Sequence, residues 1–93
     1  MGGAGGAQCG GSMSMADCTS YCMGVVAAAC PGGPTQQVCE QGCNMLNGNL
    51  AQCPAWGAVV DCAETAPNFT CFMGETVPEG CETEFYCLSQ CLN

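Results

Sequence analysis

Three pairs of cysteines stand four residues apart, Cys18/Cys22, Cys39/Cys43 and Cys87/Cys91, and this spacing limits what the chain can fold into more than any other feature. Residues i and i+4 project from one face of a helix, one turn apart. When two such helices run antiparallel, the first cysteine of one meets the second of the other. Cys18 with Cys43 and Cys22 with Cys39 therefore predict two bridges laddered across a helical hairpin. The chain has 12 cysteines among 93 residues, a density that marks a disulfide scaffold. Their number is even, so every thiol can pair. A chain this short builds a small apolar core and gains from covalent staples. Disulfides persist only in oxidising compartments, which predicts a secreted protein, extracellular or at the cell surface.

Charge narrows the function classes. The chain carries 8 acidic residues and no lysine, arginine or histidine. Nucleic acid is excluded as a partner because its phosphates need cations to neutralise them, and an anionic membrane surface is disfavoured for the same reason. Without His, Lys or Arg there is no ordinary base near neutrality and no Schiff-base amine, so no enzyme is expected. Asp61, Glu64 and the group Glu79, Glu82 and Glu84 offer carboxylates of the kind that pair in glycoside hydrolysis. A solvated first helical turn explains the three glutamates better.

The cysteines themselves do not read as metal or redox ligands. No C-x2-C occurs, the spacing that zinc knuckles and thiol-disulfide catalysts use. Neither an EF-hand loop nor another dense oxygen-ligand motif is present, and no cofactor is expected. Met13, Met15 and Met23 are soft ligands in principle suited to copper(I). The simpler expectation is that methionine fills gaps in the core. Asn68-Phe69-Thr70 is a formal glycosylation sequon. The longest apolar run, Val25 to Cys30, is far shorter than the roughly 20 residues of a membrane span. The opening Met1-Gly2-Gly3-Ala4-Gly5-Gly6-Ala7 has neither the cationic start nor the apolar stretch of a signal peptide, so a targeting segment is expected to have been removed.

Periodicity predicts four short helices and no strand, an all-α, disulfide-rich up-down bundle. Residues 1–13, rich in glycine, form an expected flexible arm, and 14–93 form the stapled domain. The first helix runs from Ser14 to Ala29, with Ser14 and Asp17 as an approximate capping box and Met15, Cys18, Cys22, Val25, Val26 and Ala29 as its apolar stripe. Thr35 caps a second helix, which carries Cys39, Cys43, Leu46 and Leu50. Pro54 opens a third, with Trp56, Val59, Val60 and Ala63 buried, ending before Pro67. A long loop is expected from Ala66 to Gly80, broken by Pro67, Gly74 and Pro78. The fourth helix runs from Gly80 to Leu92, with Phe85, Leu88 and Leu92 on one side and Cys87 and Cys91 beside them.

Helix polarity proposes the remaining bridges. The ends of the first and third helices and the start of the fourth share one pole, which gathers Cys30, Cys62, Cys71 and Cys81. The other pole gathers Cys53 and Cys91, with Cys9 and Cys87 nearby. The proposed pairs are Cys30 with Cys71, Cys62 with Cys81, and Cys53 with Cys91. Twelve cysteines permit roughly ten thousand pairings, so connectivity stays open at the level of sequence.

Two resemblances follow from these residues. The pair Cys18-x3-Cys22 and Cys39-x3-Cys43 is similar to the helical hairpins of small mitochondrial intermembrane-space chaperones and some plant seed peptides. It covers only residues 18–43, and the eight further cysteines depart from a four-cysteine pattern, so no chaperone activity carries over. The longer run is Cys18-x3-Cys22, Cys30, Cys39-x3-Cys43, Cys53, Asp61-Cys62, Phe69-Thr70-Cys71, Pro78-Glu79-Gly80-Cys81-Glu82 and Cys91-Leu92. It resembles the cysteine-rich exported proteins and lipoproteins of myxobacteria and related predatory soil bacteria. That resemblance implies export and disulfides, not an activity. Cys9 and Cys87 lie outside the family pattern, which implies that they pair with each other; no lipobox precedes Cys9.

The expected function is a non-enzymatic extracellular structural or interaction module, a coat or fibre subunit that assembles with itself or another protein into an oligomer or filament. The alternatives are a small secreted monomeric effector, such as an inhibitor, toxin or lipid carrier, and, behind it, a copper or zinc thiolate binder. Most of Tyr21, Trp56, Phe69, Phe72, Phe85 and Tyr86 should be core, and an exposed subset would mark a protein contact.

Overall fold

Four helices and one β-hairpin make up residues 10–92, the part of the chain that the computed structural model describes. Residues 1–9 of the expected arm lie outside the described residues. So does the expected Cys9–Cys87 bridge, because Cys9 does, and so does the side chain of Leu92. The elements are α1 (Cys18–Ala27), α2 (Gln36–Gly48), α3 (Ala55–Thr65), β1 (Phe69–Phe72), β2 (Glu75–Pro78) and α4 (Glu82–Leu92).

Helix α1 starts four residues later than expected, and the cause is tertiary. Ser14 does not cap it; the Ser14 hydroxyl donates to Asp61 on α3 instead. Ser12 N–H donates to the Pro54 carbonyl at 3.0 Å, and the Asn47 side chain brackets Ala16, accepting its N–H and donating to its carbonyl, each at 3.0 Å. Residues 12–16 are thereby strapped across α3 and the end of α2, and Asp17 caps α1 by accepting the Ser20 N–H. At the other end Ala29, expected within the helix, has φ 53, a left-handed conformation that cannot continue α1. Thr35 caps α2 as its hydroxyl accepts the Val38 N–H.

The long loop expected over 66–80 is a β-hairpin, so the protein is mostly helical with a small two-stranded sheet and is not all-α. The strands run antiparallel in the register Phe69 to Pro78, Thr70 to Val77, Cys71 to Thr76 and Phe72 to Glu75. Met73 (φ 50) and Gly74 (φ 82) make the two-residue turn. Positive φ at both central positions matches the right-handed twist of the strands they join. Aromatic and β-branched residues suit the pleat. Pro67 precedes the ladder and Pro78 ends it, where a missing N–H costs little.

The molecule is built as two helical hairpins, α1 with α2 and α3 with α4, and the β-hairpin links α3 to α4 and touches α1 through β1. Trp56 (2% exposed), Val59, Val60, Leu50 and Leu88 form the core together with Cys22, Cys43, Cys53 and Cys87. Tyr21 is wedged between Trp56 and Phe69, with both rings edge-on at 5.2 and 5.1 Å, and burial raises its phenol pKa well above the ordinary value. Methionine does not fill this core. Met13, Met15, Met23, Met45 and Met73 are 61–88% exposed. Half-cystines and valines occupy the interior instead, and they lose less rotamer freedom on burial than methionine does. Val26, expected on the buried stripe of α1, also faces outward, as do Phe72 and Tyr86. Among the described residues no helix is long and apolar enough to cross a membrane.

Candidate functional site

The disulfides set the geometry around which any site is built. Cys18 is bonded to Cys43 and Cys22 to Cys39, with Cα atoms 5.7 Å apart in each pair, so α1 and α2 are laddered. Cys62–Cys81 ties the latter half of α3 to the residue just before α4, and Cys53–Cys91 ties the turn before α3 to the last turn of α4. Cys30–Cys71 joins the loop after α1 to β1. The last three are the pairs that helix polarity proposes, and none of these ten cysteines is a free thiol.

Stapling the hairpins at these points leaves a cleft between them. Val38, Gly42 and Leu46 of α2 lie along one wall, Tyr21 and Val25 of α1 and Trp56 of α3 line it further, and Phe85 and Leu88 of α4 face them. The Gly32-Gly33-Pro34 turn and the Gly74-Glu75-Thr76 end of the β-hairpin form the rim. The cavity volume is about 490 Å³, within the range of sites that take ligands. Among the described residues Glu75 is the only charged one that lines it. A side-chain carbon added at Gly42 would meet nothing within 4 Å, so the wall is open there. Sequence reasoning missed this cleft, because it places Val38 nowhere and treats Phe85 and Leu88 only as core. Its signal was Val38-x3-Gly42-x3-Leu46, a stripe on α2 next to the Cys39/Cys43 stripe.

The acidic candidates lie on α3 and at the start of α4. Asp61 is exposed, and hydrogen bonds from Ser14 and then Ser12 hold its carboxyl below the usual carboxylate range. A carboxyl depressed in the folded state stabilises above the ordinary Asp value of about 3.9, and that contribution disappears as pH falls through the folded value. Ser14→Ala should therefore lower the thermal midpoint at pH 7 and leave it unchanged once Asp61 is protonated in both proteins. Carbon-detected NMR titration should show the Asp61 pKa moving up in the variant. Glu79, Glu82 and Glu84 crowd the start of α4, where Glu82 accepts the Gly80 N–H.

Among the described residues, ligand atoms of Cys62, Cys81 and Glu84 come within 4.8 Å of one another. The two sulfurs are joined in a disulfide and offer no thiolate to an ion. Asn68, the sequon asparagine, is exposed at the foot of β1. Comparison with family models, with curated proteins and with solved structures finds no match to this chain.

Proposed function

We propose that the protein is a non-enzymatic, secreted interaction module that holds a basic peptide with an apolar face in the cleft between its two helical hairpins. The cleft carries this reading: an apolar wall of Val38, Gly42 and Leu46 with Glu75 at the rim. Charge selects the partner. A chain with a net charge of -8 and no cation of its own side chains attracts a cationic ligand over a distance and repels an anionic one. Covalent bracing lowers the ordering cost of binding, since the walls are already in place. The secreted setting rests on the disulfides, which belong to an oxidising compartment.

Self-association into a coat or fibre is the second reading, and the β-hairpin supports it. Its strands pair only with each other among the described residues, and its tip exposes Phe72 and Met73. Open edges are templates for another chain. Like charge opposes that contact at neutral pH.

One titration separates the two. An amphipathic Lys/Leu peptide added to the native protein should change Trp56 emission, and a Glu/Leu peptide with the same apolar face should not. Gly42→Leu, whose Cβ would meet nothing within 4 Å, puts an isobutyl group on the open wall and should weaken binding by at least about tenfold. Equal binding of both peptides, or no loss in Gly42→Leu, would overturn the cleft reading. On acidification to about pH 4, where carboxylates begin to protonate, Lys/Leu binding should weaken. Light scattering that rises over the same interval supports assembly; an unchanged particle size counts against it.

A further inference from the structure

We infer that Met13, Met15, Met23, Met45 and Met73 are oxidation sites, a surface layer of thioethers that takes up oxygen from hydroperoxides while the fold stays intact. Every methionine among the described residues is on the surface, from 61% exposed at Met23 to 88% at Met73. Methionine is one of the residue types most often buried, so its complete exclusion from this interior is a pattern and not a sample of ordinary surface. Among the described residues there is little else for a peroxide to attack. None of the described cysteines is a free thiol, the chain contains no histidine, and the single tryptophan, Trp56, is 2% exposed.

The chemistry is a two-electron oxygen transfer. A sulfur lone pair attacks one oxygen of the peroxide, the O–O bond breaks, and an S–O bond forms. The departing oxygen takes up the proton and leaves as water from hydrogen peroxide or as an alcohol from an organic hydroperoxide. The thioether is oxidised and the peroxide reduced, one for one. A sulfoxide is polar and disrupts a core that was built on methionine. Here the product is already in solvent, so the reaction removes no packing from Trp56, Val59 or Leu88, which form the interior. Susceptibility follows exposure, and the five sites should react at similar rates.

The test uses the native protein and hydrogen peroxide. Peptide masses should place one oxygen on each of the five methionines, with rates within roughly threefold of one another and of a short methionine peptide. Trp56 emission and the thermal midpoint should stay as before. Leu88→Met supplies the contrast by putting a thioether in the core, where it should oxidise at least about tenfold more slowly than Met73. A variant with leucine at all five positions should lose the oxygen taken up there and keep only that of Met1, and should it fail to fold, the site-by-site rates of the wild type decide the matter. The inference is overturned if any of the five reacts more than about tenfold more slowly than the free peptide, or if their oxidation shifts Trp56 emission to that of the unfolded chain.

Discussion

Reducing the native protein with excess dithiol is expected to abolish its tertiary structure, moving Trp56 emission from that of a buried indole to that of one in water. Removing a bridge from a small domain costs about 2–4 kcal/mol, and whole domains are stable by only about 5–15 kcal/mol. Two or three bridges therefore match the entire stability. The five bridges among the described residues span sequence separations from 17 to 41 residues and join every helix and β1 to a partner. No side-chain ion pair can compensate, because the chain has no Lys, Arg or His. Repulsion among its carboxylates grows once the staples are cut. Within the set, a Cys22→Ala, Cys39→Ala double variant should be especially costly, since Cys22 is fully buried and its sulfur also fills space beside the core. Near-UV circular dichroism and Trp56 emission follow the loss. A reduced, alkylated protein with native spectra would show that apolar packing alone suffices.

Trp56→Ala should cost about 3–5 kcal/mol, the range for truncating a large aromatic in a core, and in a protein this small that removes much of the stability. Trp56 touches three parts of the structure. Its ring meets Tyr21 of α1 edge-on, its indole N–H donates to Asn47 Oδ1 at 2.8 Å, and its body packs in the core cluster with Val59, Val60 and Leu88. Asn47 in turn holds Ala16 in place. Trp56→Phe keeps most of the bulk and loses the indole hydrogen bond, a change of about 1 kcal/mol, because Asn47 Oδ1 still accepts the Ala16 N–H. Denaturant midpoints of the two variants check the ranking. Values within about 1 kcal/mol of each other would mean that the ring contributes little by packing.

Legibility varied with the range of the interaction that decides each feature. The Cys18/Cys43 and Cys22/Cys39 ladder could be read directly, because i, i+4 spacing is a property of one helix and antiparallel pairing needs only a turn, which Pro31 to Pro34 supplies. Trp56, Val59 and Val60 were equally plain as the inner face of α3. The β-hairpin was not, because Gly74, Pro67 and Pro78 look like breakers whether or not strands lie between them. Met73-Gly74 between Phe72 and Glu75 was the available signal. Ser14 was misplaced because a serine before an apolar stripe suits a cap, and nothing local reveals that Asp61, far along the chain, takes its hydroxyl.

What the amino-acid order settled alone was therefore local and covalent: helical periodicity, the cysteine ladder, and a charge balance without cations. The cleft, the strap over α3 and the outward turn of all five described methionines were decided in three dimensions. They depend on how the two hairpins meet, through the core that gathers Cys22 and Cys43 around Trp56, Val59 and Leu88 and through the Cys30–Cys71 bridge from the loop after α1 to β1. A side chain's distance from residues far along the chain is not encoded in its neighbours, so exposure and cavities appear only once the packing is complete.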